Sequence, residues 1–308
     1  PRRGIVQYAK PVGVVAAITP STNPVATPTN KVLNAVKGCN AIVLAPSPKG
    51  EGTATRLVTY FQAALQGVGA PKELVQKLPA PLSREATLEL MTQVDLVVAT
   101  GSQRNIRLAY SSGTPSVGVG KGNVAVIVDE TADWVEAAAK IVASKTFDHG
   151  TSCSSENSAI VVDAVYDNFC KALEDQGAVL LDSSEKQVLR QTMWDGSTLQ
   201  PSILARSAVE IAEMSGIERA TRHATVLVVS EDGVGPDAPF SGEKLSPVLA
   251  LYRVADFDAA CEQVQEIYRY QGAGHSVGLH STDTGRPEKI GLTLPACRVI
   301  VNQAHCFA

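Results

Sequence analysis

The sequence predicts an α/β chain of two units, each built around a largely parallel sheet, and three observations carry that prediction. Short aliphatic runs alternate with amphipathic helical patterns along the whole length, which is how β-α-β units read in sequence. At 308 residues the chain is long enough for two domains of ordinary size. Hydrophobic residues make up 44% and charged ones only 19%, which is sufficient apolar surface for two cores. Aromatics are few, at 5%, so those cores must be aliphatic.

The elements follow in order. Residues 12–18 form a continuous aliphatic run, the pattern of a strand buried on both faces. Residues 25–37 carry helical spacing, and residues 41–45 (AIVLA) form a short buried strand closed by Pro46 and Pro48. Residues 51–64 form an amphipathic helix, and Pro71 stands where a first-turn proline would open another. Residues 95–99 (DLVVA) end at Thr100-Gly101-Ser102 before a further helix. Three strand–helix pairs in succession make a doubly wound, Rossmann-type half. After Gly118-Val119-Gly120 the alternation restarts with a strand at 124–128 and a helix at 132–144. Later strands are expected at 158–162, 225–229, 247–252, 276–280 and 298–301, with helices between them, including 257–270. The last strand should pair with something, yet no closing element is seen before Ala308. With no repeat or low-complexity linker, the change of pattern near Gly120 sets the expected boundary between residues 1–120 and 121–308.

Composition excludes several function classes. A formal net charge of −4 makes nucleic acid and anionic membrane poor partners. The longest uncharged window, residues 11–30, approaches the length of a membrane span, but Pro20, Pro24 and Pro28 interrupt it and its Thr, Ser and Asn side chains would be stranded in lipid. No basic start leads into an apolar stretch, so no secretory signal is visible, although Pro1 leaves room for a trimmed leader. Six cysteines (39, 153, 170, 261, 297, 306) are scattered without a C-x-x-C pair, which points to a reducing cytoplasm and away from a disulfide framework.

Cys153 differs from the other five. It sits in Asp148-His149-Gly150-Thr151-Ser152-Cys153-Ser154-Ser155, a small and polar stretch of the kind that substrate can reach. A nucleophilic role requires that donors or a cation favour the thiolate; the alternative is a half-buried loop cysteine. Cys39, Cys170 and Cys261 lie on helix patterns and read as packing. Cys297 and Cys306 with His305 lack the spacing and the fourth ligand of a zinc site, so no metal is expected. Gly113, Gly118, Gly120 and Gly122 do not continue into Lys-Ser/Thr, so the nucleoside-triphosphate loop is excluded. A lone Gly-x-Gly serves cofactor approach or close packing equally well. The turn Thr19-Pro20-Ser21-Thr22-Asn23-Pro24 follows the first strand, where ligands of open α/β sheets bind. Asn23 either caps the next helix or donates its amide to an oxyanion.

Taken together, I-T-P-S-T-N-P (18–24), A-T-G-S (99–102), T-F-D-H-G-T-S-C-S-S-E (146–156), E-K-L-S-P-V-L-A-L-Y (243–252) and G-H-S (274–276) resemble the CoA-acylating branch of the aldehyde dehydrogenase superfamily. The match runs in order through essentially the whole chain. The tail V-N-Q-A-H-C-F-A is most similar to the acylating sulfoacetaldehyde dehydrogenases. The resemblance implies a nicotinamide-cofactor domain at 1–120 and a catalytic domain at 121–308. It implies that Cys153 is the nucleophile, that Asn23 and the backbone N–H of Cys153 form the oxyanion hole, and that His275 assists the thioester steps. For His275, a satisfied histidine before a buried strand remains the competing reading. Glu243 would hold the nicotinamide ribose, and Thr100, Gly101 and Ser102 would lie beside the pyrophosphate. Thr19, Pro20, Ser47, Pro48, Gly118, Gly120 and Leu245 complete the implied cofactor contacts.

One departure from the hydrolytic relatives bears on the chemistry. Those enzymes place a glutamate base in the glycine-rich segment, whereas no Asp or Glu occurs here from Gly101 through Val128. An acyl-cysteine without a water-activating carboxylate hydrolyses slowly, while CoA brings its own thiol. The expected reaction is therefore aldehyde plus CoA plus NAD or NADP giving acyl-CoA. Sulfoacetaldehyde, acetaldehyde or succinate semialdehyde are the candidate substrates, and a non-catalytic nucleotide-binding paralogue is the alternative. The segment after the second strand lacks the acidic residue that reads a ribose 2′-hydroxyl, and Lys49 either meets a 2′-phosphate or is a surface lysine. His149, Arg104 and His305 are the candidate cations for a sulfonate. Relative to the family, roughly a hundred residues at the front and about fifty at the back are expected to be absent. Family members assemble as dimers or tetramers through a hairpin whose final strand would fall near Arg3 to Ala9, so a fragment is expected to oligomerise poorly. The cytoplasm is the expected location, with a bacterial microcompartment as the lesser option.

Overall fold

The computed structural model describes residues 8–119 and 122–308. Gly120, and Arg3 to Gln7 of the expected hairpin strand, lie outside the described residues. The chain divides into two compact units, Pro1–Gly120 and Lys121–Ala308.

The first unit runs β1 (Val14–Thr19), α1 (Ala26–Lys37), β2 (Ala41–Pro46), α2 (Glu51–Gly67), β3 (Val75–Lys77), α3 (Arg84–Thr92), β4 (Leu96–Thr100), α4 (Gln103–Tyr110) and β5 (Ser116–Val119). Its sheet has the order β3-β2-β1-β4-β5 with every pairing parallel. Alternation along β1 shows why helices cover both faces. Val15 and Ala17 pack with Val32 of α1 and Val58 of α2, whereas Ala16 and Ile18 pack with Met91 of α3 and Ile106 of α4. Each fully buried Val, Ile or Met side chain among these contributes about 1.5–3 kcal/mol. The strand order reverses between β1 and β4, and the loops at the carboxyl ends of β1, β2 and β4 are those that carry Thr19 to Asn23, Ser47-Pro48 and Thr100 to Ser102. That edge is the ligand crevice of a doubly wound sheet.

Sequence pattern missed β3, β5 and α3. β3 has three residues at the sheet edge, too few to alternate legibly. β5 (SVGV) contains Gly118, whose bare Cα makes room for a helix: a β-carbon there would lie 2.9 Å from Ile106 Cγ2. Pro71 opens no α-helix; it precedes a single 3₁₀ turn, Lys72–Leu74. Cys39 is not on a helix either, lying past the end of α1 with φ 59°.

The second unit contains β6 (Val124–Val128), α5 (Trp134–Thr146), β7 (Glu156–Val162), α6 (Asp163–Asp175), β8 (Val179–Leu181), α7 (Ser183–Met193), β9 (Trp194–Asp195), β10 (Thr198–Leu199), α8 (Ala208–Ser215), β11 (Leu227–Ser230), β12 (Val248–Val254), α9 (Phe257–Tyr270), β13 (Ser276–His280), α10 (Arg286–Thr293) and β14 (Arg298–Val301). Its seven-stranded sheet has the order β14-β13-β6-β7-β12-β11-β8, all parallel, and β9 and β10 form a separate antiparallel ribbon. Strands β6 and β7 are buried at every residue; β6 is wholly aliphatic, whereas β7 opens with the polar residues Glu156, Asn157 and Ser158 before its aliphatic run. Helices α5 and α9 start on side-chain caps: Asp133 accepts from Val135 and Glu136 N–H, and Asp256 accepts from Ala259 N–H. The final strand finds its partner in β13, with Ser276 opposite Arg298. Asn302, at φ 52°, then turns the chain, and its amide exchanges hydrogen bonds with the Ser281 backbone.

Candidate active site

In the second unit the loop between α5 and β7 is held by local geometry. Asp148 and His149 both adopt left-handed backbone angles, φ 49° and 50°, and Gly150 follows at φ 69°. Such angles are costly for residues with a β-carbon. Thr151 stabilises the turn by donating its hydroxyl to the Asp148 carbonyl and carboxylate, both at 2.8 Å. Gly150 is obligatory: a β-carbon there would lie 2.6 Å from the Ser246 carbonyl oxygen. The loop is thereby pressed against residues 243–246.

That second segment is anchored by Lys244. Its ammonium, wholly buried, donates to the carbonyls of Asn157, Phe240 and Gly242 at 2.9, 2.6 and 2.9 Å. Its backbone N–H donates to Asn157 Oδ1 at 3.1 Å. One side chain thus ties the start of β7 to the segment bearing Glu243. Burial drives the Lys244 pKa well below the usual lysine value, and the three carbonyls supply the acceptors that burial makes necessary.

Cys153, Glu243 and Gly122 converge. A β-carbon built on Gly122 would lie 3.2 Å from Cys153 Cβ and 3.2 Å from Glu243 Oε1, so the nucleophile candidate and the carboxylate flank one glycine. Cys153 is exposed, yet crowding around its sulfur, followed by the Glu243 charge, raises the thiol pKa. Ser154, Arg298 and the residue's own N–H pull in the opposite direction. The resting side chain is therefore a thiol, and thiolate forms as pH rises or as positive charge arrives.

Arg298, the first residue of β14, was not singled out by sequence. It reaches Ser154 Oγ at 3.4 Å, and its charge also depresses the pKa of His275. His275 precedes β13; burial is the larger cause of that depression. Its Nδ1 lies 2.8 Å from Ser276 Oγ, and Ser276 Oγ lies 2.9 Å from Nε2 of His305. The satisfied-histidine reading of His275 is thus half realised: one ring nitrogen has a protein partner. His305 does not act as a cation for a sulfonate. It is buried at 1% exposure, and burial first, then Arg298, lowers its pKa to about 3. Deeper still, Lys145 Nζ and Glu156 Oε2 are buried without hydrogen-bond partners. Burial shifts them to about 8 and about 7, while each favours the charged form of the other.

The first unit holds the other expected residues. Asn23 Oδ1 accepts from Ala26 N–H at 3.0 Å, but Asn23 is not the cap of α1: the N-cap residue is Val25, with no side-chain cap. That bond uses the Asn23 oxygen, and an oxyanion would use its amide nitrogen, so the two roles do not compete. Ser47 N–H donates to the Thr19 carbonyl at 3.0 Å, joining two of the crevice loops. Ser102 caps α4 by accepting from Asn105 N–H at 3.3 Å. Lys31, which sequence missed, donates to the Ile18 and Val98 carbonyls at 2.7 and 2.8 Å, bridging β1 and β4 where the strand order reverses, and burial lowers its pKa to about 7. Lys49 is exposed, as are Arg104 of the first unit and His149 of the second. Among the described residues no cluster of His, Cys, Asp and Glu could hold a metal ion, and no helix is long and apolar enough to cross a membrane.

Residues 1–191 match the model of the aldehyde dehydrogenase family. The chain belongs to that family. Among relatives, the acylating sulfoacetaldehyde dehydrogenase of Cupriavidus necator is 57% identical over 99% of this chain and 62% of its own length. An acetylating aldehyde dehydrogenase from Geobacillus thermoglucosidasius superposes with a TM-score of 0.92 at 40% identity, covering 97% of this chain and 66% of that one. A propionaldehyde dehydrogenase from Rhodopseudomonas palustris, solved with bound CoA and an acylated cysteine, gives 0.86 at 27% identity over 96% of this chain and 66% of that one. The chain thus spans less than two thirds of the length of these family members. The α/β aldehyde dehydrogenase fold expected from sequence is the fold observed.

Proposed function

We propose that this chain carries the cofactor and catalytic parts of a CoA-acylating aldehyde dehydrogenase, with NAD or NADP as oxidant and sulfoacetaldehyde as the aldehyde. The observation that carries the reading is the convergence of Cys153, whose loop is fixed by three successive left-handed residues, with Glu243 and Gly122. The 57% identical relative, an acylating sulfoacetaldehyde dehydrogenase, supports the substrate. So does Arg298, a cation beside the nucleophile's loop of the kind a sulfonate needs.

A nicotinamide cofactor fits the first unit on its donor chemistry: hydroxyls of Ser47, Thr100 and Ser102 and the amino end of α4 gather at the carboxyl edge of the sheet. Pro48, Thr19, Pro20 and Gly101 line the same loops, and the family resemblance alone assigns Glu243 and Leu245 of the second unit to the nicotinamide ribose. When bound, the cofactor supplies the hydride acceptor. Cys153 thiolate adds to the aldehyde carbon, and the oxyanion so formed accepts from the Cys153 N–H; the Asn23 amide is assigned to the same role by the family resemblance alone. Donors aimed at developing charge contribute roughly 3 to 4 kcal/mol each. Loss of hydride leaves an acyl-Cys153 thioester, and CoA sulfur displaces Cys153 as its proton passes to His275. No carboxylate of residues 101–128 is present to activate water, which leaves CoA as the acceptor. A cytoplasmic location and a homo-oligomeric assembly of the whole protein belong to the same proposal.

Intact-protein mass spectrometry after adding sulfoacetaldehyde and oxidised cofactor, with CoA withheld, tests it. The acyl adduct is expected on the native chain and not on Cys153→Ala. An unmodified mass in a preparation that turns over with CoA would refute the mechanism.

A further inference from the structure

Ser276 Oγ stands between two imidazoles, 2.8 Å from Nδ1 of His275 and 2.9 Å from Nε2 of His305. A hydroxyl carries one hydrogen, so it donates to one ring and accepts from the other. We propose that Ser276 and His305 are positioning residues that prepare His275 to take the proton of the CoA thiol, a reading that rests on the function proposed above.

The argument turns on the state that forms when CoA is deprotonated. The thiol proton moves to His275 Nε2, the CoA sulfur bonds to the acyl carbon, and Cys153 leaves as thiolate, which then recovers the proton. In the intermediate imidazolium both ring nitrogens of His275 are donors. Ser276 must then accept from Nδ1–H, and its own hydrogen needs another acceptor. His305 Nε2 is that acceptor, provided His305 is uncharged. The fold ensures this: the ring is buried at 1% exposure, and a β-carbon at Gly278 would lie 3.2 Å from its Nδ1, so little space is left for solvent. The same hydrogen-bond direction in the resting state places the Nδ1 proton toward Ser276 and leaves Nε2 with the lone pair a base requires.

The surroundings are accounted for on every side. The Arg298 charge raises the cost of protonating both histidines. Cys297 donates to the His275 carbonyl through both its N–H, at 2.9 Å, and its thiol Sγ, at 2.7 Å. Tyr268 donates to the Ser276 carbonyl at 2.5 Å, fixing the serine backbone. Behind His305, the Glu156 carboxylate accepts from its backbone N–H at 3.2 Å and holds the residue without reaching its ring nitrogens, and His280 adds a further charge effect.

The test compares Ser276→Ala, Ser276→Thr, His305→Phe and His275→Ala in the full chain. The burst of reduced cofactor without CoA reads Cys153 chemistry alone, and turnover with CoA across a pH series reads the base. Ser276→Ala and His305→Phe are expected to keep the burst and the aldehyde KM while losing roughly tenfold in CoA-dependent kcat. Their acid limb is expected to move to lower pH, because the imidazolium has lost its acceptor. Ser276→Thr is expected to restore both. Native turnover and an unmoved acid limb in Ser276→Ala, beside an impaired His275→Ala, would overturn the positioning role alone. Native CoA turnover in His275→Ala would overturn the base assignment and this proposal with it. Thermal melting of each variant separates these results from misfolding, and a Ser276→Thr chain that melts normally but fails like Ser276→Ala also overturns the proposal.

Discussion

Gly122 abuts Cys153 so closely that a β-carbon on the glycine would stand 2.7 Å from the cysteine carbonyl oxygen. The clash would be with backbone, which cannot swing aside as a flexible side chain does. Gly122→Ala is therefore expected to displace the Cys153 loop. Single-turnover acylation should fall at least about tenfold, while overpacking costs about 1–3 kcal/mol of stability. Rapid-quench measurement of acyl-enzyme together with thermal melting checks both parts.

Glu243 raises the Cys153 pKa, second only to burial. Glu243→Gln removes that charge, so the thiol should ionise at lower pH. The midpoint of iodoacetamide alkylation against pH is expected to shift downward and the rate at neutral pH to rise. Loss of a charged hydrogen-bonding group should at the same time raise the KM for the nicotinamide cofactor about tenfold.

Lys244 has three carbonyl acceptors and no exposure. Lys244→Met leaves those carbonyls buried and unpaired, a loss of about 3–5 kcal/mol. The melting temperature should drop by several degrees, and residual activity should fall because the segment carrying Glu243 loses its anchor. Denaturant titration followed by tryptophan fluorescence measures the first effect.

His305 and His280 are held neutral by burial, with pKa values lowered to about 3 and about 4. Unfolded, they titrate at the ordinary histidine value, so as pH falls below about 6.5 the unfolded chain binds protons that the folded chain refuses, and stability declines until the folded values are reached. Glu156, raised to about 7, acts in the opposite direction between about pH 4.5 and 7, since the folded chain binds the extra proton there. His305→Gln should therefore flatten the acid decline by up to about 1.4 kcal/mol per pH unit. Glu156→Gln should steepen it. Urea melts at a series of pH values decide the signs.

Arg298 is the cation nearest in effect to both Cys153 and His275. Arg298→Met is expected to lower kcat/KM for sulfoacetaldehyde about tenfold while changing that for acetaldehyde little. Equal losses on both substrates would assign the arginine to general electrostatics of the site and not to recognition of the sulfonate.

Much of the architecture was legible because each element satisfies its own burial. Val124–Val128, Ser276–His280 and Phe257–Tyr270 fall at the residues expected from pattern, since an unbroken aliphatic run and a helical stripe are local properties. β3 and β5 escaped because three or four residues at a sheet edge leave no periodic trace. Cys153 was visible because its neighbours are small and polar in an otherwise aliphatic chain. Lys31 and Lys244 were not, since a lysine in sequence reads as a surface residue whether or not the fold buries it; Arg298 is exposed, and only its place beside Ser154 marks it.

The sequence by itself determined two parallel-sheet units, their order along the chain and the polar loop that bears Cys153, all through composition and periodicity within a few residues. Only the tertiary structure decided which groups meet. Ser276 and His305 are 29 residues apart, Lys244 and Asn157 are 87 apart, and Arg298 and Ser154 are 144 apart. Those meetings follow from strand order, with β13 lying between β14 and β6, and strand order is set by packing between distant segments that no local pattern encodes.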